Sequence, residues 1–171
     1  DDHHILLDGL KALLQKQKDV EVAAMYDNGL DLYNELEATA PQVALVDISM
    51  PGLGGQELTI KIKENHPSIN VIALSMYDDA GHIMDMIEAG VSGYLLKNVN
   101  DKELLEAIRA VALGKMYFSS EVSEKITALV VQRQQKQDQP EEVKLTEREI
   151  EVLKLVSEEL SNAQIAERLF I

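Results

Sequence analysis

The run Ala44-Leu45-Val46-Asp47-Ile48-Ser49-Met50-Pro51-Gly52-Leu53-Gly54-Gly55 carries apolar residues straight into one carboxylate, then into a glycine-rich turn sequence. Two more apolar runs end on a polar side chain in the same way. "NVIALS" closes on Ser75 and "GYLLK" on Lys97, while the chain opens on Asp1-Asp2. If these runs are parallel strands, and an upstream strand ends at Asp1, five polar side chains converge on one sheet edge. In open parallel sheets that carboxyl edge is where ligands bind.

The grouping dictates a chemistry. Two carboxylates ~4 Å apart repel by roughly 4 kcal/mol at an effective dielectric of about 20, so Asp1, Asp2 and Asp47 together need a counter-cation. Oxygen ligands without His or Cys favour a hard ion, and a site with few protein ligands suits Mg2+. A carboxylate beside Mg2+ can attack a phosphoryl group and become an aspartyl phosphate. The metal and the Lys97 ammonium would spread the charge of the transferring group, and the Ser75 hydroxyl could bond to a phosphate oxygen once it arrives.

Positioning these side chains requires alternating elements. Val20-Glu21-Val22-Ala23-Ala24, Val43 to Val46, Val71 to Ser75 and Gly93 to Leu96 read as strands, the last three almost continuously apolar, as strands buried on both faces are. Helical spacings separate them at Leu30-Tyr33-Leu36, Leu58-Ile62 and Ile83-Met86-Ile87. Leu104-Leu105-Ile108-Val111 follows, with Asn100 and Glu103 placed as an N-cap and its reciprocal partner and Gly114 as a stop. An opening helix carries Leu6, Leu10, Leu13 and Leu14 on one face. Strand–helix alternation predicts a doubly wound, five-stranded parallel sheet with helices on both faces, its first strand ending at Asp1. A sheet without that strand leaves ladder groups unpaired, so residues upstream of Asp1, or a strand borrowed from a partner, are expected.

The pattern shifts after Phe118. Val122, Ile126, Leu129 and Val130 form a helical stripe that suits linker packing or a dimer seam, followed by the polar run "QRQQKQDQP". From Leu145, Thr146 with Glu149 and Ser161 with Gln164 make two capping boxes, opening two short helices in a helix-turn-helix pattern. The chain has 171 residues, 46% apolar and 27% charged, with no cysteine and a formal charge of −14. Disulfides and thiolate metal sites are excluded. No apolar run approaches the ~20 residues of a membrane span. Glu141 to Ile171 holds eight acids and four bases, a net of −4, so this surface is not one that grips DNA phosphates. "PGLGG" lacks the Lys-Ser/Thr that would make it a phosphate loop, and His3-His4 point in different directions at a helix start.

Asp1-Asp2, "ALVDISMPGLGG", "VIALS" and "GYLLK" resemble the receiver (flavodoxin-like) domain of bacterial two-component response regulators. "LTEREIEVLKLVSEELSNAQIAERLFI" resembles the first half of a LuxR-type helix-turn-helix domain, so the whole chain is similar to the NarL/FixJ family. The resemblance implies a receiver domain over 1–118, a helical linker over 119–142, and over 143–171 the N-terminal part of the all-α helix-turn-helix domain, recognition helix absent. It implies that Asp47 accepts a phosphoryl group from a sensor histidine kinase, with Asp1, Asp2, Asp47 and the backbone carbonyl of Ser49 holding Mg2+. Lys97 would pair with the phosphoryl group, Ser75 would move toward it, and Tyr94 would follow by changing rotamer. The face carrying Ile83 to Ala89 and Leu104 to Val111 would report the change. Asn98 stands after Lys97 where such domains usually carry proline, so the cis-proline turn of the family is not carried over. A cytoplasmic protein that is not an enzyme beyond self-phosphorylation and self-dephosphorylation follows. It would form a phosphorylation-dependent homodimer, bind DNA only when intact, and not associate with membranes. Two other functions fit the same acid: a phosphatase of the haloacid dehalogenase type, which needs a second acid where this chain has Ser49, or a protein-interaction receiver module that is never phosphorylated.

Overall fold

The computed structural model describes residues 4–50, 52–137 and 168, and shows side chains for 6–50, 52–131 and 168. The chain divides into two compact units, 1–133 and 134–171. In the first, elements run α1 (His4–Leu14), α2 (Gly29–Thr39), β1 (Val43–Asp47), α3 (Gly55–Asn65), β2 (Asn70–Ser75), α4 (Ala80–Glu88), β3 (Gly93–Leu96), α5 (Asp101–Ala112) and β4 (Tyr117–Phe118). Helix α6 (Ser120–Gln137) runs across the boundary between the units.

The strands form one sheet in the order β1-β2-β3-β4, every pair parallel. Their side chains alternate between two cores, as the period of two in a strand demands. Val71 and Ala73 of β2 join Val46, Tyr94 and Leu96 against Leu58 and Ile62 of α3 and Ile83 and Met86 of α4. Ile72 and Leu74 join Leu95 on the opposite face, against Leu14 of α1 and Leu104, Ile108 and Val111 of α5. Helices therefore cover both faces, the doubly wound arrangement that near-continuous apolar strands require. The α5 stripe is buried as the sequence pattern predicts. Asn100 caps it by accepting from Glu103 N at 3.0 Å, and Gly114 follows its end with φ at +75°.

One expected strand does not form. Val20 to Ala24 takes no part in any ladder, although Val20 and Val22 pack against the α1–α5 core. A strand persists only where a neighbour answers its N–H and C=O groups. The ladder of β1 goes to β2, and its other edge bears no strand among the described residues. The 20–24 run instead borders a cavity of about 280 Å³ between α1, α5 and β1, lined by Leu10, Leu14, Val22, Val43, Leu45 and Ile108. Arg109 fixes the start of this run, donating to Asp19 at 2.7 and 3.0 Å and to Gln17 at 3.2 Å. The sheet accordingly has four strands among the described residues, and the fourth, Tyr117–Phe118, was not anticipated. The expected strand ending at Asp1 and the helix-turn-helix capping boxes lie outside the described residues.

Helix α6 resolves the stripe after Phe118. Val122 is fully buried, Ile126 packs against the same core, and Val130 is about half exposed at 47%. The near end of the stripe is thus linker packing.

Candidate functional site

Three of the four strands bring a polar residue to one edge of the sheet at their carboxyl ends. Asp47 is the last residue of β1, Ser75 the last of β2, and Lys97 follows the last residue of β3. The register holds them together: Asp47 lies beside Leu74, Ser75 beside Leu96, and Lys97 N donates to Ser75 O at 2.7 Å.

Asp47 is 1% exposed. A buried carboxylate persists only with charged or hydrogen-bonding partners, and two are present. Lys97 Nζ donates to Oδ2 at 2.7 Å, and Ser49 N donates to Oδ1 at 3.0 Å. Residues separated by fifty positions are thereby brought into contact.

The glycine-rich turn explains how the chain leaves Asp47 so abruptly. Gly52 has φ at +77°, a conformation that L side chains rarely adopt. Gly55 N donates to Ile48 O at 3.1 Å as α3 begins. A Cβ on Gly55 would stand 2.4 Å from Asp47 O and 2.7 Å from Ile48 Cα. Only glycine lets α3 start against the end of β1, and residues 52–54 bend the chain into that helix.

The next strand end carries a relay of short contacts. Ser75 is fully buried, and its Oγ accepts from Tyr77 N at 2.8 Å. Tyr94 is fully buried and inward-facing, with its hydroxyl donating to Tyr77 O at 2.8 Å. Burial pushes the Tyr94 phenol above the usual tyrosine value, Ser75 opposing this by hydrogen bonding and the charges of Asp79 and Asp78 adding to it. Asp79 then caps α4, accepting from Gly81 N at 3.1 Å and His82 N at 3.2 Å.

The structure thus brings Asp47 and Lys97 together, sets Ser75 on the neighbouring strand and Tyr94 beneath the same loop. Asp1 and Asp2 lie outside the described residues, among which no group of three or more His, Cys, Asp or Glu gathers to hold a metal. The buried carboxylate of Asp47 and the backbone carbonyl of the exposed Ser49 are oxygen groups, of the kind a hard divalent cation prefers over a soft one. All peptide bonds of the described residues are trans, Lys97–Asn98 included.

Sequence reasoning missed the loop 76–79. The Asp79 cap had a signal, an acid directly before a helical run. Tyr77 had none, because it acts through its main chain.

Residues 1–109 match the family described as "Response regulator receiver domain", and residues 143–171 match "Bacterial regulatory proteins, luxR family". The chain is 35% identical to "Oxygen regulatory protein NreC" of Staphylococcus epidermidis, all of the chain aligning with 81% of that protein. Its fold is similar to a LuxR-family two-component response regulator from Aurantimonas sp. SI85-9A1, with a TM-score of 0.73 at 27% identity over 77% of this chain and 94% of that one. It is also similar to RcsB in a structure of two RcsB dimers bound to two parallel DNAs, with a TM-score of 0.69 at 27% identity over 99% of this chain and 79% of that one.

Proposed function

The chain belongs to the two-component response regulators that join a receiver domain to a LuxR-type DNA-binding domain and control transcription, and we propose that Asp47 is its phosphoacceptor. One observation carries this: a carboxylate buried at the end of β1, with the Lys97 ammonium 2.7 Å away and Ser75 ending the next strand.

An Asp47 oxygen attacks phosphorus in line. The new O–P bond forms as the bond to the donor's leaving atom breaks, and that electron pair departs with the donor, a phosphohistidine of a sensor kinase or a small acyl phosphate. Lys97 follows the charge as it moves from the carboxylate onto the phosphoryl oxygens. Asp47, the Ser49 carbonyl and the acids Asp1 and Asp2 would hold Mg2+, which when bound would add positive charge against those same oxygens. Ser75 would turn its hydroxyl to a phosphoryl oxygen, altering its bond to Tyr77 N and, through the Tyr77 carbonyl, the seat of Tyr94. The chemistry is a switch and not turnover of substrates, apart from loss of the chain's own phosphoryl group to water.

The protein would work in the cytoplasm, as a dimer on DNA when phosphorylated. RcsB dimers bound to DNA support the dimer on DNA. No helix among the described residues is long and apolar enough to cross a membrane. Acetyl phosphate with Mg2+ should add one phosphoryl group to the chain, read by intact mass, and Asp47→Ala should abolish the addition. Equal labelling of parent and variant would remove Asp47 from the role.

A further inference from the structure

Helix α6 is attached to the first unit at two successive turns. Val122 is fully buried in the core that also holds Tyr94, Leu96 and Ile83. One turn later, Lys125 Nζ pairs with Asp78 Oδ2. Asp78 belongs to the short loop between β2 and α4, and the residues on either side of it, Tyr77 and Asp79, are both committed. Tyr77 holds Ser75 by its N–H and Tyr94 by its carbonyl, Asp79 caps α4, and the His82 ring stacks on Tyr77 at 4.8 Å between centroids while its Nδ1 lies 2.6 Å from Asp79 Oδ2. A shift of this loop therefore cannot leave Asp78 where it is.

The pair is exposed, with 36% of the Lys125 side chain and 61% of the Asp78 side chain accessible, so its value for global stability is small. Its direction is the informative part. Lys125 hydrogen-bonds to Asp78 and holds that carboxyl below the ordinary aspartate value. Glu121 stands one turn earlier on α6, in the acid-before-base orientation that favours pairing within a helix. Lys125 thus has a second carboxylate one turn away on its own helix when Asp78 moves away. Two arrangements of similar energy are what a switching element requires.

We infer that Lys125 and Asp78 form a latch by which the loop after β2 holds the near end of α6, released when Ser75 is drawn toward a phosphoryl group on Asp47. The latch rests on the reading of Asp47 as phosphoacceptor. It gives the connecting helix, which runs on past the boundary of the first unit, a direct link to the acceptor's neighbour. By reciprocity, whatever loosens the latch must also change the affinity of the site for a phosphoryl mimic, by the same factor.

The test is amide hydrogen exchange over residues 120–131 of the full chain, with and without beryllofluoride and Mg2+, while fluorine NMR of the bound adduct reports occupancy. The parent should exchange about twofold faster in this segment once the adduct forms, the scale an exposed pair can supply. Lys125→Met should exchange at the faster rate from the start and no longer respond. The reversed pair, Asp78→Lys with Lys125→Asp, should regain the response. If the adduct forms and the parent segment does not change, or if Lys125→Met responds as the parent does, the latch is wrong and the phosphoacceptor stands. If no adduct forms and acetyl phosphate leaves the mass unchanged, the phosphoacceptor reading falls and takes the latch with it.

Discussion

Replacing Lys97 with methionine separates two contributions of the Asp47–Lys97 contact. At 2.7 Å the attraction is about 6 kcal/mol for an effective dielectric of about 20. Side chains 9% and 1% exposed have lost most of their hydration, a cost of several kcal/mol for each ion, so the intact pair roughly breaks even. Lys97→Met removes the attraction and leaves the desolvated carboxylate with the Ser49 N–H but without the Lys97 charge. Breaking a buried pair in this way costs about 3–5 kcal/mol. Urea unfolding followed by circular dichroism should show a loss of that size near pH 7. Asp47→Asn combined with Lys97→Met should recover most of it, because neither charge then remains. A Lys97→Met variant within about 0.5 kcal/mol of the parent would refute the argument, showing that water or backbone movement relieves Asp47 without a cation.

Gly55→Ala should cost about 1–3 kcal/mol in thermal or urea unfolding, since its Cβ would sit 2.4 Å from Asp47 O, and should slow labelling by acetyl phosphate because Asp47 must move. Tyr94→Phe removes the hydroxyl on Tyr77 O and should cost about 1 kcal/mol in the same unfolding assay. The raised Tyr94 phenol makes its contribution fully present below the ordinary tyrosine value near ~10 and lost as pH rises through its higher folded value. Phenolate absorbance on alkaline titration should show a late-ionising fraction that shrinks in Tyr94→Phe, with Tyr117, also raised by burial, remaining.

The placement of the candidate site was legible because its residues end apolar runs. Asp47, Ser75 and Lys97 announce themselves as polar stops on buried strands, and parallel pairing aligns such stops without further information. The helices were equally readable from their stripes and caps, as α5 shows. The sheet's margins were not. Val20 to Ala24 has strand composition, yet composition supplies no partner for its backbone, and the run borders a cavity instead. Tyr117–Phe118 is a two-residue strand, too short to display an alternation. The Lys125–Asp78 contact joins residues 47 positions apart by nothing more than an exposed ion pair, and no local pattern foretells it.

Residue 77 illustrates a kind of determinant that substitution scans overlook. Its amide serves the hydroxyl of Ser75 and its carbonyl serves the phenol of Tyr94, so the linkage belongs to the polypeptide and not to the tyrosine ring. Nineteen amino acids would carry it unchanged and proline, lacking the amide proton, alone would sever it. Relatives could therefore vary freely at this position while keeping the same main-chain link.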